Sequence, residues 1–231
     1  MVRQEIITIL DEAGKHGWVM EPEAKRLFSL AGMDTPRFFW ARKAEEAVDF
    51  AEKAGYPVVG KVVSPRVIHK TEVQGVALGL DSREKVEEAF LRFTRVEGFA
   101  GMLVEETLSG LELIVGGRVD FQFGPIVLLG MGGTGVEIYK DAALRMAPLE
   151  ERDVRSMVQS LKARRLLEGY RGKEPVHMGE LTRLLLTFSS LIMEIHPRIE
   201  SIDLNPVFAS ATRVVVGDAR IMLKDREGLP V

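Results

Sequence analysis

Short turns between successive strands constrain this chain more than any other feature of its sequence. Helical and extended patterns alternate through both halves, yet several extended runs are joined by connections that only antiparallel neighbours can use. The pattern therefore predicts two α+β lobes rather than one parallel sheet. Apolar positions at helical spacing predict helices over 22–32 and 44–54, stopped by Gly32 and Gly55. The β-branched run Val58–Val63 and the alternating Val76, Leu78 and Leu80 predict the next two strands, and His69 lies on the polar connection between them. Asp81-Ser82-Arg83-Glu84 supplies an N-cap with acid behind it, so 83–95 is expected to be helical. Beyond Gly98, strands are expected near 101–106, 111–117, 125–130 and 135–139. Helices near 149–167 and 177–195 and two final strands complete the order. No fixed-period repeat or low-complexity segment interrupts it.

Composition narrows the function classes. With 231 residues and 46% hydrophobic content the chain can bury a sizeable core. It has no cysteine, which excludes a disulfide framework, a thiolate metal site and a thiol nucleophile, and fits a reducing cytoplasm. The opening residues lack a basic stretch followed by an apolar one, so a secretory signal is not expected. The longest apolar stretch, Leu181 to Ile195, is interrupted by polar residues and is shorter than the roughly 20 residues a spanning helix needs, so no membrane association is expected. A net charge of −3 with 31 dispersed basic residues argues against nucleic acid as a partner.

The last pair of strands carries the most geometry. In Ser201-Ile202-Asp203-Leu204-Asn205-Pro206, alternation puts Asp203 and Asn205 on one face and Ile202 and Leu204 on the other. If Ala211 and Thr212 form the centre of the hairpin, Asn205 lies opposite Asp218 and Asp203 opposite Arg220. Opposed Cβ atoms about 5 Å apart would let Asn205 and Asp218 grip one small hard cation. An exposed polar strand face is the alternative. Gly130-Met131-Gly132-Gly133-Thr134-Gly135 follows an apolar strand as a phosphate-cradling loop would, but a glycine-rich hairpin explains it equally. Lys61 interrupts a strand with a buried character, so its cation needs a phosphate or a carboxylate unless it snorkels to water. Glu112 alternates against Leu111, Leu113 and Val115, so it projects away from the apolar face of its strand, toward a ribose, a metal or solvent. His16, His177 and His196 read as structural; His69 is the histidine that a loop between rigid strands would present.

The stretches Ala54-Gly55-Tyr56-Pro57-Val58-Val59, Ile68-His69-Lys70, Gln122-Phe123-Gly124-Pro125, Gly132-Gly133, Lys140-Asp141-Ala142 with Arg145, Gly169-Tyr170-Arg171-Gly172 and Asp203-Leu204-Asn205-Pro206 with Asp218-Ala219-Arg220 occur in this order. Together they resemble the β subunit of ADP-forming acetyl-CoA synthetase, over about residues 20 to 223. The resemblance implies an ATP-grasp fold, with a lobe over 1–103 carrying a phosphohistidine loop and a lobe over 104–231 carrying the Mg-nucleotide site. It implies an enzyme that interconverts acyl-CoA, ADP and phosphate with acid, CoA and ATP.

Under that resemblance Lys61 contacts the nucleotide phosphates, and Val104-Glu105-Glu106 is a hinge that meets adenine. Glu112 faces the ribose and Gly132-Gly133 line the nucleotide. Arg145 meets the transferred phosphate, Asn205 and Asp218 bind Mg²⁺ with Asp203 near the transferring group, and His69 is the phosphohistidine. A CoA-binding α subunit is then required, in an α2β2 assembly. The sequence departs from the family at Val119-Asp120-Phe121, where relatives often have Arg-Asp-Pro, and at Thr134-Gly135, two places the resemblance puts near the nucleotide. The rival readings are a self-contained ATP-grasp ligase without a phosphohistidine and a non-catalytic nucleotide-binding subunit.

Overall fold

The structure, a computed structural model, describes residues 4–133 and 141–224. These fall into two compact units. The smaller comprises residues 20–22 and 36–108; the larger contains the remaining described residues. The boundary expected between residues 103 and 104 falls inside a strand, and the N-terminal segment packs for the most part with the C-terminal half of the chain.

The smaller unit is built on a four-stranded antiparallel sheet. Its strands are β2 (Phe38–Ala41), β3 (Val58–Val63), β4 (Val76–Leu80) and β5 (Gly101–Glu106), in the order β2-β5-β3-β4. Helices α3 (Ala44–Ala54) and α4 (Arg83–Phe93) cover it. α3 ends where Gly55 turns to positive φ, and α4 begins where Ser82 Oγ accepts the Lys85 N–H, as its sequence predicts. Val48, Ala51, Val58, Val62, Phe90, Phe93, Met102 and Val104 form the core between helices and sheet.

The larger unit contains a seven-stranded antiparallel sheet in the order β1-β11-β9-β6-β7-β8, with β10 pairing β9. Its strands are β1 (Trp18–Val19), β6 (Leu111–Asp120), β7 (Gly124–Met131), β8 (Ala142–Met146), β9 (Ile199–Ala209), β10 (Val214–Val216) and β11 (Arg220–Leu223). Helix α1 (Gln4–Ala13), most of α2 (Glu21–Leu30), α5 (Glu151–Ser160) and α6 (Met178–Ile195) accompany it. α6 lies close on one face: a Cβ on Gly117 of β6 would come within 2.5 Å of Ile192 and 3.0 Å of Phe188. Leu113, Val115, Val127, Leu129, Ile202 and Leu204 join α6 in a continuous core.

Two expectations are corrected, and a third lies outside the described residues. The helix expected over 149–167 stops at Ser160, because the buried Asp141 carboxylate takes the N–H groups of Lys162 (2.7 Å) and Ala163 (2.8 Å) and starts a separate 3-10 turn. The two final strands are three segments. β10 and β11 both pair β9 in the register that a turn at Ala211-Thr212 dictates, with Val215 opposite Phe208 and Arg220 opposite Asp203, but residues 217–219 leave the ladder between them. Strand β8 occurs at 142–146, whereas the strand expected at 135–139 lies outside the described residues.

Candidate functional site

In the smaller unit, Lys61 is 7% exposed at the middle of β3, an inner strand whose residues are all buried. Its ammonium lies 2.7 Å from Glu21 Oε1 and 2.8 Å from Glu105 Oε1. A carboxylate, one of the partners the sequence left open to it, is therefore in place. Glu21 also holds Lys70, whose Nζ lies 2.8 Å from Glu21 Oε2. These carboxylates and ammonium groups meet in one buried cluster, and pairing of opposite charges is what makes burial of either sign tolerable.

His69 directly precedes Lys70. It is exposed, at the entry to the 3-10 turn Lys70–Val73. The loop carrying it is fixed on both sides. Upstream, buried Ser64 donates to the Glu97 carbonyl (2.6 Å) and accepts the Arg66 N–H (3.1 Å). Downstream, the Gly75 N–H bonds the Lys70 carbonyl (2.7 Å), and a Cβ on Gly75 would come within 2.4 Å of Val62 on β3. An imidazole is therefore displayed at the surface of a loop whose ends are tied into the fold.

Val104-Glu105-Glu106 lies within the smaller unit rather than at its boundary. All three residues lie in β5, which is hydrogen-bonded between β2 and β3, and Val104 belongs to the core. Paired on both edges, the segment has its backbone groups bonded to neighbouring strands. Glu106 is held by Arg37, whose Nε lies 2.8 Å from Glu106 Oε2. The two units part after Leu108.

In the larger unit the sheet register decides which side chains share a face. Directly opposed residues of antiparallel strands project to the same side. Gly116 opposes Asp203 on β9 and Leu128 on β7, and Leu128 opposes Leu144 on β8. Gly117 opposes Ile202 and Val127, and Val127 opposes Arg145, on the face that α6 covers. Asp203 and Arg145 therefore project from opposite faces. Arg145 reaches Ser156 Oγ of α5 (2.6 Å) and the Leu144 carbonyl (2.7 Å). Grouping it with Asp203 at a transferred phosphate is corrected for that reason.

Glu112 and Asp203 project from the face away from α6. Glu112 opposes Phe208 there, while the neighbouring pair Leu113 and Val207 is buried. Asp203 and Asn205 flank buried Leu204, and Arg220 Nη2 lies 3.2 Å from Asp203 Oδ2. Asp218 is drawn to the same place: the N–H groups of Gly217 (2.9 Å) and Asp218 (3.2 Å) both bond the Pro206 carbonyl. Residue 217 must be glycine for this, since a Cβ there would lie 2.6 Å from the Phe208 ring. Asp218 Oδ1 accepts the Ala219 N–H (2.7 Å). Asn205 and Asp218 both carry hard oxygen donors, the ligand type Mg²⁺ takes, but Asp218 stands outside the ladder and is not directly opposite Asn205 as the hairpin register had it. Among the described residues no group of three or more His, Cys, Asp or Glu is arranged to hold a metal.

Gly132 and Gly133 follow β7 beside Glu112. The Gly132 N–H bonds the Glu112 carbonyl (2.7 Å), and a Cβ on Gly132 would lie 2.8 Å from that backbone. The glycine is required by close strand approach, whatever else it does. Both glycines and Glu112 line a cavity of about 980 Å³ at the strand ends, together with Lys162, Tyr170, Lys173 and Ala209. Tyr170 and Lys173 were missed as candidates, although Gly169-Tyr170-Arg171-Gly172 stood among the family stretches. Glu21 and Lys70 were also missed, because nothing in spacing links residues 40 or more positions apart. The departure at Val119–Phe121 runs from the end of β6 into the β6–β7 turn, where Phe121 is 98% exposed. It lies eight residues along β6 from Glu112, roughly 27 Å at strand rise, too far to touch the same ligand. Thr134-Gly135 lies outside the described residues.

Comparison with known proteins agrees with this architecture. A family model described as an ATP-grasp domain matches residues 11–223. Subunit beta of acetate–CoA ligase (ADP-forming) I from Pyrococcus furiosus is 39% identical over 213 residues, covering 89% of this chain and 91% of that one. Acetate–CoA ligase (ADP-forming) I from Archaeoglobus fulgidus is 40% identical over 95% of this chain, which spans 33% of that longer polypeptide. Among solved structures, the dinucleotide-forming acetyl-coenzyme A synthetase 1 of Candidatus Korarchaeum cryptofilum, in complex with coenzyme A and Ca-AMPCP, superposes with a TM-score of 0.88 at 39% identity, covering 94% of this chain and 99% of that one. The chain belongs to the ATP-grasp family, among the β subunits of ADP-forming acetyl-CoA synthetases. No helix among the described residues is long and apolar enough to cross a membrane.

Proposed function

We propose that this chain is the nucleotide-binding subunit of an ADP-forming acyl-CoA synthetase, in which phosphate passes through His69. The carrying observation is the presentation of His69: exposed, at the entry to a short turn, on a loop anchored at Ser64 and at Lys70. In the ATP-consuming direction a ring nitrogen of His69 attacks the γ-phosphorus, the bond to the bridging oxygen breaks, and ADP leaves. The reverse step regenerates ATP from phosphohistidine and ADP. Imidazole is a competent nucleophile near neutral pH, and the remaining demands are in-line positioning and neutralisation of charge.

Asn205 and Asp218 would hold the Mg²⁺ that accompanies the nucleotide and offsets its phosphate charge, with Asp203 beside them. Glu112, Gly132 and Gly133 would serve ribose and base. Lys61 would reach a phosphate by releasing one of the carboxylates it holds. Acyl and CoA chemistry belong to a partner α subunit. The A. fulgidus relative, a single polypeptide of which this chain matches one third, supports a need for further domains. An α2β2 assembly working in the cytoplasm completes the reading.

The test is labelling with γ-phosphate-labelled ATP and Mg²⁺, with and without the partner subunit, comparing the natural chain with His69→Ala. Acid-labile, alkali-stable label on His69 and none on the variant is the expected result. Absence of label under both conditions, with nucleotide binding intact, overturns the relay and leaves a ligase or a binding subunit.

A further inference from the structure

The cavity beside Glu112 has two walls that are distant in sequence. Met131, Gly132 and Gly133 at the end of β7 form one, and Lys162 and Ala163 after α5 belong to the other. Asp141 joins them. Its backbone carbonyl accepts the Met131 N–H (3.0 Å), while its side-chain oxygens accept the N–H groups of Lys162 (2.7 Å) and Ala163 (2.8 Å). From these bonds we infer that Asp141 is a positioning residue for nucleotide, one that sets the separation of the two walls and so the fit of a nucleoside between them. This rests on the reading above that Glu112, Gly132 and Gly133 serve ribose and base.

A cap alone would ask less of this residue. Two N–H groups in a turn on the surface can bond to water, whereas Asp141 is 5% exposed and its carboxylate has given up water to serve them. Asp141 also lines the cavity itself. The side-chain tie is a tight one: each oxygen takes one of two adjacent amides, which fixes the wall in both distance and rotation. On the other side the fit is equally close, since a Cβ on Gly130 of β7 would come within 3.2 Å of the Asp141 carbonyl. From Met131 the connection runs on to the ribose candidate, because the next residue, Gly132, donates its N–H to the Glu112 carbonyl (2.7 Å). Removing the carboxylate leaves the β7 wall paired in its sheet and frees only the wall at Lys162 and Ala163. A wall that is in place about one-tenth of the time weakens binding about tenfold.

The test is calorimetry on the full chain with adenosine, Mg-ADP and Mg-ATP, comparing the natural protein with Asp141→Ala, alongside amide exchange at Lys162 and Ala163. Because the disturbed wall faces the nucleoside, all three dissociation constants should rise by a common factor of about tenfold. The gain in affinity from adenosine to Mg-ADP, which phosphate and metal contacts supply, should stay within about twofold; a general loss of structure would erase it too. In His69 labelling the KM for ATP should rise by the same factor and the maximal rate should hold within about twofold. Asp141→Asn keeps one acceptor and should fall between the other two proteins; it carries the same comparison if Asp141→Ala does not fold. Natural adenosine affinity despite faster exchange at the two amides overturns the inference and leaves Asp141 a cap. So does a loss confined to the phosphate increment. A natural chain that binds none of the three ligands overturns the nucleotide reading itself, whereas failure of the His69 relay leaves the binding comparison intact.

Discussion

Replacing Asp141 with Ala tests whether one buried carboxylate divides the C-terminal helical region in two. Asp141 is 5% exposed and each of its oxygens accepts one backbone N–H, from Lys162 at 2.7 Å and from Ala163 at 2.8 Å. Hydrogen bonds to a charged acceptor contribute about 1.5–3 kcal/mol each. Relief from burying the carboxylate offsets part of that sum, leaving a net loss of about 3 kcal/mol. Because two units need not unfold together, a single melting temperature is the wrong measure. Amide exchange at Lys162 and Ala163 reads the same quantity locally, and a 3 kcal/mol loss of protection speeds it about 150-fold. Asp141→Asn adds a sharper signature. Its one remaining carbonyl oxygen can serve only one of the two N–H groups, so one amide should exchange much faster than the other. Natural exchange rates at both amides in Asp141→Ala would refute the capping argument and require another reason for α5 to end at Ser160.

Arg145→Ala should lose about 1–2 kcal/mol of stability with its bond to Ser156, yet leave the rate of His69 labelling within a few-fold, because its guanidinium lies on the helix-covered face; a collapse of labelling with the fold intact would refute that placement. Gly132→Ala must push β7 away from β6, since its new Cβ would lie 2.8 Å from the Glu112 backbone, and nucleotide affinity measured by calorimetry should fall with it. The N–H groups of Gln122 and then Phe123 hold the Asp120 carboxyl below its ordinary 3.8. The folded pKa being the lower one, its contribution to the β6–β7 turn is present above the ordinary value and is lost as pH falls through the folded one. An acid titration followed at the Gln122 and Phe123 amides should therefore show a midpoint under 3.8, and one at or above it would contradict the turn geometry.

The β9 hairpin shows how far sequence could reach. Once Ala211-Thr212 is taken as its centre, side-chain alternation alone pairs Arg220 with Asp203, and the structure has that pair. What alternation could not supply was the detour at Pro206, where residues 217–219 leave the ladder, because such a break depends on Gly217 fitting under Phe208. Lys61 was legible as a cation in need of a partner, but Glu21 is 40 residues away and only the folded sheet brings them together. Arg145 was misjudged because its strand was not foreseen, so its facing was never worked out. The place of His69, on a polar connection between two strongly apolar strands, was legible from its surroundings, whereas its role as a phosphohistidine came only with the resemblance.

The ion pairs of this chain fall into two groups that salt would separate. Arg83 with Glu87 and Lys85 with Asp81 stand in water on α4, and added electrolyte weakens them as the Debye length shortens to about 8 Å at physiological strength. The pairs that Glu21 makes lie where counter-ions do not penetrate. Raising ionic strength should strip support from α4 well before it loosens the contacts that Glu21 makes, so those contacts should keep their setting in concentrated salt as readily as in dilute buffer.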